Sequence, residues 1–293
     1  MKTFTLLTTS LIAVTSAHAA MQNETQQMPL TLQVYHAAPS SFDVNSTLVY
    51  GQTEAAVIDA GFSKADALRI AANVLDSGKK LTTIFISQAD PDYYFGIETL
   101  KQYFPDAKVL ATPAVRDEIK HKMASKIEYW VPKMGVNAPV KPVVPDAYTL
   151  SSFSVDGQKI EIRGSEGVLA HRPYLWIPSL KAIVGNVGIY GDMQVWTADT
   201  QTQGELNAWV EQLAEMKALK PQVVVPGHME ASTSLDISTI QSTEDYLNAF
   251  IKAKKSSKNS QELIDKMMAI YPEKQVPLTL SLGAKVHMGE MKW

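Results

Sequence analysis

The stretch Ser87-Gln88-Ala89-Asp90-Pro91-Asp92-Tyr93-Tyr94-Phe95-Gly96 constrains this chain more than any other. An apolar β-type run, Thr83-Ile84-Phe85-Ile86, leads into it, and a helix-like run from Ile97 to Phe104 follows. A strand that empties into acidic and amide side chains just ahead of a helix is a common way to build a metal site. Gln88, Asp90 and Asp92 are spaced by two, so continued strand geometry points all three the same way. Each residue also has a plainer reading. Asp92 before a helix is a frequent cap, Asp90-Pro91 is ordinary turn chemistry, and the amide oxygen of Gln88 is a poor ligand.

The chain opens with Lys2, an apolar segment from Phe4 to about Val14, and Ala17-His18-Ala19-Ala20. These are the three parts of a secretory signal peptide, and the apolar run is shorter than the roughly 20 residues a spanning helix needs. The expectation is a signal peptide over 1–19, a flexible lead-in over 20–29 and one domain over 30–293. The mature protein is expected in the periplasm or the medium, free of the membrane. Cysteine is absent, so an exported chain must hold together through its core without disulfides. Any metal must then be held by His, carboxylate and weaker oxygen donors. A net charge of −3 argues against a nucleic-acid partner, which needs a basic stripe. A small-molecule substrate is expected instead. No Gly-x-Ser-x-Gly element or P-loop is present, which leaves serine-hydrolase and nucleotide-phosphate chemistry unsupported.

Short β-like runs alternate with helical patterns. Strands are expected at Leu30–His36, Thr47–Tyr50, Ala55–Ile58, Thr83–Ile86 and Lys108–Ala111. After a Pro-rich connection they resume at Tyr148, Lys159–Arg163, Tyr174–Ile177, Ala182–Val184 and Gln222–Val225. Ser63–Leu75 reads as a helix capped by Ser63, with Asp66 three residues on. Ala114 to about Met134 reads as a long helix interrupted near Pro132, and its lysine-rich surface around His121 as solvated. Gln203–Leu219, Ile237–Lys254 and Gln261–Ile270 are further helices, with Thr202 able to cap the first, before a short tail to Trp293. Two β-rich halves flanked by helices accommodate this order.

Four landmarks in order carry a family resemblance. Val57-Ile58-Asp59-Ala60-Gly61 is similar to an early strand-to-turn motif, in which the Asp tightens the loop beneath a site. Ser87–Gly96 resembles the His-x-His-x-Asp-His loop of the metallo-β-lactamase fold, with Asp92 and Gly96 keeping the family letters. Gln88 and Asp90 stand for the first two histidines, and Tyr93 for the third. Ala170-His171-Arg172 resembles the segment supplying a later metal ligand, and Val225-Pro226-Gly227-His228 the closing Pro-Gly-His segment. Val184-Gly185-Asn186 stands where the family has Gly-Asp, whose Asp bridges two metals. Asp192 is the other candidate for that bridge.

The resemblance implies an α+β, αββα four-layer sandwich: two mixed sheets face to face with helices outside, and a site at one edge. It implies an exported metal-dependent hydrolase, in which a metal-activated water attacks an ester, lactone or related bond. Asp90, Asp92, His171, His228 and Gln88 would be the metal ligands. Asp92 would alternatively orient the water, and Tyr93 or Asn186 would stabilise the oxyanion. With three imidazoles and the bridging Asp gone, at most one divalent ion is expected, zinc first, with iron or manganese as alternatives. The rival reading is a non-catalytic ligand-binding protein on the same fold. Tyr93, Tyr94, Phe95, Tyr174, Trp176, Tyr190 and Trp196 are either a pocket wall or core.

Overall fold

A computed structural model describes residues 28–273 and 278–293. The expected signal peptide and nearly all of the lead-in lie outside the described residues. Strand β4 (Lys80–Ile86) organises the first half of the chain. Ile84 and Ile86 point into one apolar cluster and Phe85 into another, as a period of two requires of a strand buried on both faces. β3 (Glu54–Ile58) divides the same way, with Ala55 and Val57 on one side and Ala56 and Ile58 on the other.

β1 (Thr31–His36), β2 (Asn45–Tyr50) and β3 form an antiparallel meander. β4, β5 (Lys108–Ala111) and the short β6 (Asp146–Ala147) continue it in parallel. The second sheet runs β7 (Ser152–Val155), β8 (Gln158–Arg163), β9 (Tyr174–Ile177) and β10 (Ala182–Val184), all antiparallel. A two-residue pair, β11 (Tyr190–Gly191) with β13 (His228–Met229), stands apart from both sheets. β12 (Val223–Val224) closes the second sheet in parallel with β10.

Three apolar clusters define the layers. The middle one lies between the sheets and joins Ile58 and Phe85 to Ile160, Leu175 and Val184; Phe85 stacks on Phe153 across the gap at 5.5 Å. Outside the first sheet lie α1 (Lys64–Ser77), α2 (Pro91–Tyr94), α3 (Ile97–Tyr103) and α4 (Pro113–Met134). Outside the second lie α5 (Gln203–Ala218), α6 (Ser238–Lys255), α7 (Ser260–Ile270) and α8 (Leu278–His287). The expected αββα sandwich of two mixed sheets is present. Ser63 and Asp66 form a full capping box on α1, and Thr202 and Glu205 another on α5.

Two expectations change. Pro132 does not interrupt α4, which continues to Met134 before Gly135 ends it. A proline this close to a C-terminus costs one hydrogen bond rather than a helix. The tail after Ile270 contains α8, whose Leu280, Ala284 and Val286 are buried. Among the described residues no helix is long and apolar enough to cross a membrane.

Candidate functional site

The loop after β4 is held from beneath. Asp59, in a left-handed conformation (φ 66°), accepts hydrogen bonds from the Ser87 backbone N–H and hydroxyl, both at 2.7 Å. Burial pushes its carboxyl up to about 7 despite those two bonds. Gly96 closes the same turn: a Cβ there would stand 2.0 Å from the Ala60 carbonyl oxygen. Gly227 has a similar role under the closing segment, where a Cβ would meet the Asn186 carbonyl oxygen at 2.2 Å and the Tyr93 hydroxyl at 2.5 Å. The expected tightening by Asp59 is therefore observed.

Above this frame the candidate residues separate into two groups. Gln88, Asp90 and His171 line a cavity of about 430 Å³. Asp92 and His228 form a pair behind it, with His228 Nε2 3.5 Å from Asp92 Oδ2. His228 Nδ1 lies 2.8 Å from the Phe42 carbonyl oxygen. A carbonyl only accepts, so Nδ1 carries the proton and Nε2 the lone pair. Tyr190 stacks on this imidazole at 5.4 Å, and Tyr93 meets it edge-on at 5.7 Å.

Electrostatics follow from depth. Burial raises both Asp90 and Asp92 well above the usual carboxylate range, and repulsion from Asp199 adds to each. Lys126, 3.8 Å from Asp90, offsets part of this. Burial lowers His228, while the Phe42 hydrogen bond and the Asp90 charge act against it. Burial and then Arg172 lower His171. Both imidazoles are accordingly neutral near pH 7.

Several roles expected from sequence meet different surroundings. Asp90 stands at the N-cap of α2, followed by Pro91, and its carbonyl accepts from the Tyr93 N–H at 3.0 Å, so its turn reading holds, although its side chain makes no capping bond. The Asn186 amide donates to the Val225 carbonyl at 2.9 Å, and its oxygen accepts from the Ile189 N–H at 2.9 Å. One amide N–H and the oxygen of that side chain are therefore committed to the loop. Tyr93 is buried, donates to the Asn186 carbonyl at 3.3 Å, and has its phenol raised by burial, so it stays neutral. Asp192 follows β11 on the exposed surface and does not line the cavity. Of the seven aromatic candidates, Trp196 alone lines the cavity; the others are buried core.

The donors as placed do not fit the implied metal. Among the described residues no three His, Asp or Glu stand together where they could hold an ion. The cavity wall carries Asp90, Glu118, His171, Asp199 and Glu205 and the inner pair Asp92 and His228, but no three of these converge, and a catalytic zinc takes three protein ligands.

The sequence reading missed the opposite wall of the cavity. Glu118 and Lys122 reach it from α4 and pair at 2.7 Å. Asp199 reaches it from the loop before α5, accepting hydrogen bonds from the Trp196 indole and, at 2.8 Å, from the Trp293 indole. The spacing of Glu118, Lys122 and Lys126 by four was the available signal, since it places them on one helix face.

A family model described as the metallo-β-lactamase superfamily matches residues 41–228. The chain belongs to this superfamily. Among similar solved structures is a metallo-β-lactamase family protein from Thermus thermophilus. It is 15% identical, with a TM-score of 0.63 over 89% of this chain and 93% of that one. A β-lactamase domain protein from Burkholderia ambifaria is 12% identical, with a TM-score of 0.62 over 89% and 84%. A metallo-β-lactamase from Pontibacter korlensis is 18% identical, with a TM-score of 0.53 over 75% and 95%. At these identities the likeness is one of fold. No curated protein matches the chain in sequence.

Proposed function

We propose that this chain is an exported small-molecule-binding protein on the metallo-β-lactamase fold, whose pocket works without the superfamily's metal chemistry. One observation carries the reading: among the described residues no three His, Asp or Glu of the cavity wall or the inner pair stand together where they could hold an ion. The groups that would serve an oxyanion, Tyr93 and Asn186, make their hydrogen bonds inside the protein. A cavity of about 430 Å³ is in the size range of small-molecule sites. Its wall keeps polar groups available for a ligand, since the His171 side chain makes no hydrogen bond with the described residues and the Asp90 side chain has only its loose ion pair. Export rests on the Lys2, Phe4–Val14 and Ala17-His18-Ala19 pattern.

Hydrolysis by a metal-activated water is the second reading. His228 favours it, because an imidazole held through Nδ1 by a carbonyl presents Nε2 as ligating histidines do. Elemental mass spectrometry separates the two, applied to mature protein purified without chelator and to the Asp90→Ala/His228→Ala variant. The binding reading expects well under one equivalent of metal, unchanged in the variant. One equivalent of zinc, iron or manganese that disappears in the variant, together with turnover of an ester or lactone, overturns it.

A further inference from the structure

We infer that the ligand of this pocket is a small organic cation, held by Asp90 and Asp199 against the Trp196 indole. The inference rests on the binding reading above and names the chemical class that site would take. Charge is the first argument. Four carboxylates line the cavity, those of Asp90, Glu118, Asp199 and Glu205, against two cations, Lys122 and Arg172. Lys122 pairs with Glu118 at 2.7 Å and shares its charge with Asp199 and Asp90. The Arg172 guanidinium is turned away onto the Trp209 ring, 4.1 Å from its centroid, and bonded to Thr200. The inner layer adds Asp92 and Lys126 and leaves the balance unchanged. Among the described residues the Asp90 side chain has a single loose ion pair, to Lys126 at 3.8 Å, and no hydrogen bond.

Unused acceptors are the second argument. The Gln88 side chain is 1% exposed and lines the cavity; its amide N–H donates to the Pro173 carbonyl at 3.2 Å, and its carbonyl oxygen accepts nothing from the described residues. An acceptor on a pocket wall is open to a ligand with N–H groups. His171, whose imidazole makes no hydrogen bond to the described residues, is a further polar group on the same wall.

The aromatic wall supplies the third. Trp293 packs edge-on against Trp196 at 4.9 Å, and both indoles donate to Asp199. An ammonium over the face of an indole gains from the ring as well as from a nearby carboxylate. The chain itself makes this match: the Lys126 ammonium lies 3.8 Å from Asp90 and 5.7 Å from the Trp293 ring centroid.

Calorimetric titration with choline, n-butylammonium, the neutral choline isostere 3,3-dimethylbutanol and butyrate tests the inference. The expected result is saturable binding of at least one of the two ammonium probes, about tenfold or more tighter than the neutral isostere. Asp90→Asn and Asp199→Asn should each weaken it by about tenfold, with unchanged circular dichroism. Trp293→Leu, at a 49% exposed position that the fold tolerates, should weaken it by about threefold. Equal binding of ammonium and neutral probes, or preference for butyrate, overturns the cation assignment and leaves the binding reading intact. No binding by any probe overturns the cation assignment as well. A parallel zinc titration reports separately on the binding reading, which falls if one equivalent binds and ester hydrolysis appears.

Discussion

Asp59 grips Ser87 twice, through the backbone N–H and through the hydroxyl, each at 2.7 Å. Residue 59 ends one strand and residue 87 follows its parallel neighbour, so this double bond ties two strand ends together directly under the pocket loop. Asp59 is 2% exposed, and its left-handed backbone is a conformation that Asp tolerates better than most residues.

Replacing Asp59 by Ala leaves the buried Ser87 N–H unpaired and is expected to cost about 2–4 kcal/mol. Asp59→Asn keeps one acceptor oxygen and should cost less than half of that. Urea unfolding of the three proteins measures both; equal midpoints would show that the double bond does not anchor the loop.

Gly96→Ala places a methyl group 2.0 Å from the Ala60 oxygen and 2.9 Å from the Ala67 Cβ. Both obstacles are fixed, one by the backbone and the other by α1, so relief requires the two segments to separate. Overpacking of this kind costs about 3 kcal/mol. A thermal melt should fall by several degrees relative to Gly204→Ala, where the only neighbour within 4 Å is a Thr202 hydroxyl at 3.9 Å.

Asp66 sets an acid limit. Burial raises its carboxyl, but hydrogen bonds from Ser41, Ser63 and Tyr35 outweigh burial and hold it below the ordinary value. A depressed folded-state value means that the contribution is complete above the unfolded value of about 3.9 and lost as pH falls through the folded one. Asp66→Asn should therefore be less stable than the parent at pH 7, and the gap should narrow as pH falls below the ordinary carboxylate value. A gap that persists unchanged at acid pH contradicts the assignment.

Chelation is expected to leave stability untouched. A ligand bound at 100 times its dissociation constant stabilises the native state by about 2.7 kcal/mol, which is visible as several degrees. Dialysis against EDTA should shift the melting temperature by less than about one degree if no ion is held. A triple Gln88→His/Asp90→His/Tyr93→His variant, in contrast, should acquire chelator-sensitive stability.

The layers of the sandwich were legible because they are written in short-range patterns. Alternation through Ile84, Phe85 and Ile86 marks a strand covered on both faces, and Ser63 with Asp66 marks where α1 begins. One short-range signal went unused. Asp156-Gly157, both at positive φ (47° and 74°), is the two-residue turn joining β7 to β8, and it identifies that hairpin from sequence. The site divides along the same line. Asp59, Gly96 and Gly227 were legible or explicable from local motifs, whereas the far wall of the pocket was not. Lys122 and Lys126 read as solvated because a helical pattern gives a face but not what that face meets. Asp199 and Trp293 meet across 94 residues of chain, a separation at which no pattern of spacing speaks.

The groups that shape the pocket loop are different from the groups that face the pocket. Ser87 is fixed by Asp59, and Gly96 and Gly227 by backbone oxygens, and none of these contacts uses the side chains of Gln88, Asp90 or His171. Such a scaffold lets its working residues drift while its frame is inherited unchanged. One lineage can exchange imidazoles for amides and carboxylates without first losing the fold, and a laboratory selection could run the exchange in reverse.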